Sequence, residues 1–141
     1  MALAEEASAA GIHHPNLLAM AVFQVLAAGD AGKALDYAER ARKLAPNSID
    51  VLQALAAALA DNNRQKEALA VYDKALRQQP SLAPLRYNRG RLLEDMGDSA
   101  RARSDYERVV EIMPNHAAAL ARLATIAVAN NEAAVARGCA E

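Results

Sequence analysis

The sequence predicts an all-α solenoid of antiparallel helix pairs, and three observations carry that prediction. Prolines stand 34 residues apart at Pro46, Pro80 and Pro114, and alanines keep the same interval at Ala34, Ala68, Ala102 and Ala136. Apolar residues between these marks recur three and four apart, as in Leu52, Leu55 and Leu59 or Leu120, Leu123 and Ala127, which draws one stripe along a helix. Hydrophobic residues reach 53% of the 141-residue chain with alanine the commonest of them, while aromatics reach only 4%. That balance suits close-packed helices better than a sandwich or barrel, which favours β-branched and aromatic residues. A fixed period of this length marks units that each bury an apolar face against a neighbour.

Taken in order, residues 1–14 come first. Ala2 to Ala10 holds good helix formers and Gly11 stops them. Ala4 and Ala7 fall one period before Ala38 and Ala41, so this stretch reads either as the second helix of a preceding repeat or as a capping helix. Repeat 1 covers residues 15–48. Its first helix runs from Asn16 to Ala27 and stops at Gly29-Asp30, and its second runs from Ala31 to Leu44 and ends before Pro46. Asn47 and Ser48 can then cap the next helix. Repeat 2, residues 49–82, places helices at Asp50 to Ala60 and Gln65 to Gln78 around a break at Asn62-Asn63. Repeat 3, residues 83–116, places them at Pro84 to Met96 and Ser99 to Ile112 around Gly97-Asp98; Pro84 falls in a first turn, where its missing N–H costs little. A partial fourth repeat or capping helices fill residues 117–141, with a break expected at Asn130-Asn131.

Small residues at Ala56, Gly90 and Ala124 mark close helix contacts, and Val22 is the larger exception at that column. Tyr72, Leu76, Tyr106, Val110 and Ile112 are expected to plug the seams between repeats. Two charged groups, Asp36 with Glu39 and Arg40, and Asp105 with Glu107 and Arg108, read as solvated helix faces paired three or four residues apart.

Charge excludes several classes of function. Lys and Arg number 16 against 17 Asp and Glu, and the signs interleave, so no basic stripe invites nucleic acid. No apolar run reaches the roughly 20 residues of a membrane span, and the first residues carry acidic rather than basic side chains. Cys139 is the lone cysteine, which rules out an intramolecular disulfide and favours a reducing, cytoplasmic setting. His13-His14 lacks a third ligand nearby and makes a poor metal site. No phosphate loop, nucleophile elbow or converging carboxylate pair appears, so neither catalysis nor a cofactor is expected.

The segments ALAVYDKALRQQP, from Ala68 to Pro80, and YNRGRLLEDMGDSARARSDYERVVEIMP, from Tyr87 to Pro114, resemble the tetratricopeptide repeat family. Gly90, Ala102, Tyr106 and Pro114 fall at the family's spacing, and the resemblance extends from Pro15 to Glu141 with the last repeat incomplete. It implies a right-handed superhelix whose concave side is lined by first helices, three full repeats plus a partial fourth. Two departures stand out. Arg86 and Arg89 occupy columns that are leucine in repeats 2 and 4, where their stems are expected to lie along apolar surface with the charge in water, and Ala38 stands where an aromatic is usual.

The resemblance also implies where a peptide would lie. Carried over by column, the groove positions are Asn16, Ala19, Met20 and Phe23, then Asp50, Gln53, Ala54 and Ala57. Tyr87, Asn88, Arg91 and Asp95 follow in repeat 3, and Arg122 and Thr125 in the fourth. The carboxylate clamp of the family's chaperone-tail binders does not fit, because in the better register only Asn88 and Arg122 match it. Phe23 and Tyr87 are candidate aromatic anchors, with Gln53, Asn88, Arg91 and Arg122 as polar contacts. The expected function is a non-catalytic scaffold that binds a peptide or protein partner. The alternatives are the repeat arm of a larger enzyme, such as a sulfotransferase or peptide glycosyltransferase, and self-association through exposed repeat ends.

Overall fold

A computed structural model describes residues 14–136, with side chains described to residue 132. Seven helices are found among the described residues, and no strand: α1 Pro15–Ala27, α2 Ala31–Leu44, α3 Ile49–Asp61, α4 Gln65–Gln78, α5 Ala83–Asp95, α6 Ser99–Ile112 and α7 Ala117–Ala136. The fold class is all-α, of the helical-repeat type. The chain divides after Pro80 into two compact units.

In the first unit α1 packs on α2 and α3, α2 on α3, and α3 on α4. Short turns with defined chemistry separate these helices. Gly29 takes φ +89 at the end of α1, in the left-handed region that costs a side-chain-bearing residue about 1–2 kcal/mol. The Asp30 carboxylate then accepts from the Lys33 N–H at 3.0 Å and caps α2. At the equivalent turn of repeat 2, Asn63 takes φ +61, and the Asn62 amide donates to the Ala58 carbonyl at 2.7 Å and the Ala31 carbonyl at 2.9 Å. That last bond fastens the end of α3 to the start of α2. Ser48 caps α3, and His14 caps α1 by accepting from the Leu17 N–H.

The core of this unit is built from the stripes read in the sequence. Leu52, Leu55, Ala56 and Leu59 on α3 are buried, as are Leu18, Ala21, Val22 and Val25 on α1. Ala34 and Ala68, on the 34-residue beat, are fully buried where second helices meet first helices. Tyr72 and Leu76 are buried beside them, and burial pushes the Tyr72 hydroxyl up to about 12.

In the second unit α5 packs on α6, and α6 on α7. Gly97 repeats the role of Gly29 with φ +87, and Asp98 caps α6 as Asp30 caps α2. Ala102 and Tyr106 are fully buried, whereas Val110 and Ile112 are only half-buried. Helix α7 runs unbroken through Asn130 and Asn131, which corrects the expected break there. An asparagine in a helix costs only about 0.5–0.7 kcal/mol, and the alanines on both sides are the strongest helix formers. Ala124 is exposed and so makes no close helix contact among the described residues. Leu120 is 45% exposed and Val128 58% exposed on the same helix.

Two further expectations are overturned in this unit. Asp105 is not on a solvated face: it is 2% exposed and accepts from Arg89 Nη2 at 2.6 Å and Arg89 Nε at 2.8 Å, with Arg86 Nη1 at 3.5 Å. Arg86 and Arg89 accordingly do not send their charges to water; both turn inward onto that carboxylate. A carboxyl group buried this deeply needs matched charge and hydrogen bonds in place of water, and the two guanidinium groups supply both. One period earlier the same three columns hold Leu52, Leu55 and Val71. An apolar trio in repeat 2 is thus exchanged for an ionic trio in repeat 3.

Candidate functional site

The first-helix positions expected to face a peptide fall into separate groups in the two units. In the first unit α1 carries Met20 at 61% exposure and Phe23 at 45%. They lie three residues apart and so on one helix face. Asn16 and Asp50 are exposed, and Gln53 and Ala57 are half-buried on α3. Ala19 and Ala54 do not belong with them: both are buried, so these columns serve helix packing and are not groove positions. The amino-terminal stretch expected to form a helix lies outside the described residues, as do His13 and Cys139.

In the second unit the turns of α5 place Tyr87, Asn88 and Arg91 close together, with Glu94 one turn beyond Arg91. Tyr87 is half-buried between two rings, 5.7 Å from Tyr106 and 5.1 Å from His116 between centroids, both tilted. That spacing is favourable for aromatic contact and fixes the ring in place. The Tyr87 side chain, with weaker help from Tyr106 and Asp95, holds the Arg91 guanidinium more firmly in its charged form. His116 is fixed in turn, since its Nδ1 accepts from the Ala119 N–H at 3.1 Å and caps α7.

Arg122 is engaged rather than open. It meets Glu94 fork to fork, Nε to Oε1 at 2.9 Å and Nη2 to Oε2 at 2.6 Å, and the Tyr106 hydroxyl donates to the same Oε1 at 2.5 Å. Glu94 is held below the usual carboxylate range by Arg122 first, with help from Tyr106 and against partial burial. The Tyr106 hydroxyl is pushed well up, by burial first and then by its bond to Glu94. Asn88, half-buried, and Arg91, exposed, are the other polar groups that α5 contributes beside this cluster. An asparagine can both donate to and accept from a peptide backbone, and an arginine can meet a carboxylate with two parallel bonds.

Sequence reasoning missed Glu94, Tyr106 and His116 as members of this cluster. Nothing local signals a Glu94–Arg122 pair 28 residues apart, nor a capping histidine whose ring also lies against Tyr87. Among the described residues no group of three or more His, Cys, Asp or Glu side chains is arranged to hold a metal ion, and no helix is long and apolar enough to cross a membrane.

Paired helices recurring every 34 residues, with small residues at the crossings and a buried tyrosine in the second helix, define a helical-repeat protein. Residues 49–92 and 83–116 match family models of the tetratricopeptide repeat, and over these residues the chain belongs to the tetratricopeptide repeat family. None of the curated protein sequences compared with it matches. Among solved structures it is similar to YrrB, described as a TPR protein with an unusual peptide-binding site, at 26% identity and a TM-score of 0.73 over 82% of this chain and 60% of that one. The first TPR of Spaghetti (RPAP3) bound to the HSP90 peptide SRMEEVD is similar at 22% identity and a TM-score of 0.75, covering 85% of this chain and 98% of that one. A third likeness is to the Yersinia enterocolitica type III secretion chaperone SycD in complex with a peptide of the translocator YopD, at 15% identity and a TM-score of 0.70 over 80% and 92% of the two chains.

Proposed function

We propose that this chain is a non-catalytic, cytoplasmic interaction module that holds a peptide or protein segment against the exposed faces of its first helices. The observation that carries the reading is the pair Met20 and Phe23, two large apolar side chains exposed on one face of α1. Exposed aromatic and methionine side chains are costly to leave in water and are enriched in protein interfaces. In the second unit, taken by itself, Asn88 and Arg91 on α5 beside the Tyr87 ring offer hydrogen-bonding capacity of the kind that orients a backbone or acidic group. The solved structures similar to this fold that carry peptides support the class of ligand and leave its identity open. The test is selection of binding peptides from a random display library on the purified chain, followed by affinity measurements on Phe23→Ala and on Asn88→Ala/Arg91→Ala. Enriched peptides that lose affinity in either variant support the reading; peptides indifferent to both end it.

A second reading is favoured by α7. Leu120 and Val128 are exposed, with Ala121, Ala124 and Ala127 between them. The columns of α3 equivalent to Leu120, Ala124 and Ala127 are Leu52, Ala56 and Leu59, all buried, while that of Val128 is Ala60, which is half-buried. A helix face of this kind invites self-association. Sedimentation at rising concentration tests it, and a constant monomer mass together with an unchanged profile for Leu120→Glu/Val128→Glu removes it.

A further inference from the structure

A cleft in the first unit lies among α2, α3 and α4, away from the exposed faces of α1. Its floor is made by Leu52, Leu55 and Leu59 and its wall by Val71, with a volume of about 450 Å³. That lies within the roughly 300–1,000 Å³ typical of ligand clefts. Charge is distributed unevenly around the rim. Glu39 is neutralised by Arg42, whose Nε and Nη2 donate to it at 3.1 and 3.0 Å. Glu67 is likewise neutralised by Arg64 through two bonds of 2.7 Å, which hold the Glu67 carboxyl below its ordinary range. Farther along α4 stand Lys74 and Arg77, one turn apart and on one face. Lys74 reaches only the Pro46 carbonyl at 3.3 Å, and Arg77 has no acidic partner among the described residues. Each acidic group on the rim is therefore paired, and one end of a cleft of mixed lining, with leucines beneath and charged side chains around it, carries two cations that have no acidic partner among the described residues.

We propose that this cleft is a docking site for a peptide segment that presents a bulky apolar side chain followed by an acidic residue. The side chain enters over Leu55 and Val71, and the carboxylate meets Lys74 and Arg77. Repeat 3 shows that the chemistry of these columns is set by sequence, because Arg86, Arg89 and Asp105 replace Leu52, Leu55 and Val71 and fill their unit with an ion-paired cluster instead. The site is independent of the faces of α1 and α5 invoked above.

Fluorescence polarisation with the labelled peptide Gly-Gly-Leu-Phe-Asp-Glu, its Asn-Gln counterpart and the same two peptides against variants tests the proposal. The acidic peptide is expected to bind, and the amide peptide to bind about tenfold more weakly, as loss of one charge-assisted hydrogen bond implies. Arg77→Glu should weaken the acidic peptide by at least about the same factor while keeping the helical melting curve, since Arg77 is an exposed surface residue. Ala70→Trp, on the exposed lip of the cleft, should block both peptides. Amide shifts in a nitrogen-15 titration are expected at Leu55, Val71 and Arg77. Equal affinity for the two peptides overturns the proposal, as do absence of saturation into the millimolar range, shifts centred on Phe23 and Gln53, or cleft shifts that grow with protein concentration alone, which would assign the cleft to a second copy.

Discussion

Gly90 and Tyr106 are fitted to each other. A Cβ placed on Gly90 would lie 2.7 Å from Cε1 of the Tyr106 ring, inside van der Waals contact, and the ring is fully buried and tied by its hydroxyl to Glu94. The glycine is there to admit the tyrosine, and neither has room to retreat.

Gly90→Ala should therefore destabilise the second unit even though alanine is the better helix former. Overpacking of a rigid core costs about 1–3 kcal/mol, against a gain in helix propensity of about 0.8–1 kcal/mol. Thermal melting by circular dichroism reads the difference. A raised melting temperature would show that the ring moves freely.

The ionic trio gives the second expectation. Asp105→Ala leaves two guanidinium groups facing each other without their carboxylate, and should cost toward the lower end of about 3–5 kcal/mol, because Arg86 and Arg89 keep some access to water. Arg86→Leu/Arg89→Leu/Asp105→Val restores the residue types of repeat 2 and should be at least as stable as the natural chain. Urea denaturation of the two variants side by side checks both statements.

Glu94 makes stability depend on pH. Its carboxyl is held down in the folded state by Arg122 and then Tyr106, so the contribution is complete above the ordinary carboxylate range and is lost as pH falls through the depressed folded value. Glu94→Gln should flatten that part of the acid-unfolding profile. Arg122→Ala should shift the Glu94 titration upward in a carbon-13 NMR experiment, and an unmoved titration would mean the pair is not formed in solution.

At Gly97 the backbone alone sets the requirement. No atom lies within 4 Å of an added Cβ there, yet φ is +87, so Gly97→Ala should cost about 1–2 kcal/mol from the left-handed conformation. Gly97→Asn should recover part of the loss, because asparagine tolerates this region, as Asn63 does at the same turn of repeat 2. Melting temperatures in the order Gly, Asn, Ala check it.

Much of the fold was legible because its determinants are local and periodic. The bounds of α2, α4 and α6 coincide with those read from the residues, since an Asp, Asn or Gly turn precedes each and a proline soon follows. Helix α7 was misread because Asn130-Asn131 matches Asn62-Asn63 in type, while the earlier pair owes its turn to a bond from Asn62 to Ala31 on another helix. The ionic trio did leave a trace: three columns apolar in repeat 2 all become charged in repeat 3, with signs that cancel in part. Reading each residue alone sent all three to solvent. The cluster around Tyr87 left none, because its members meet across helix crossings that composition and spacing do not encode.

The exchange at these three columns also sets how each unit answers to its solvent. Leucine and valine hold repeat 2 by exclusion of water, a force that weakens in the cold and is strengthened by sulfate. At the same columns of repeat 3, beside its buried leucines, arginine and aspartate use attraction between charges, whose cost of burial falls as temperature rises. Guanidinium chloride, a salt, would act on both forces at once, whereas urea leaves charge attraction unscreened. At these three columns, two repeats with the same helix plan thus respond in opposite senses to cooling and differently to the choice of denaturant.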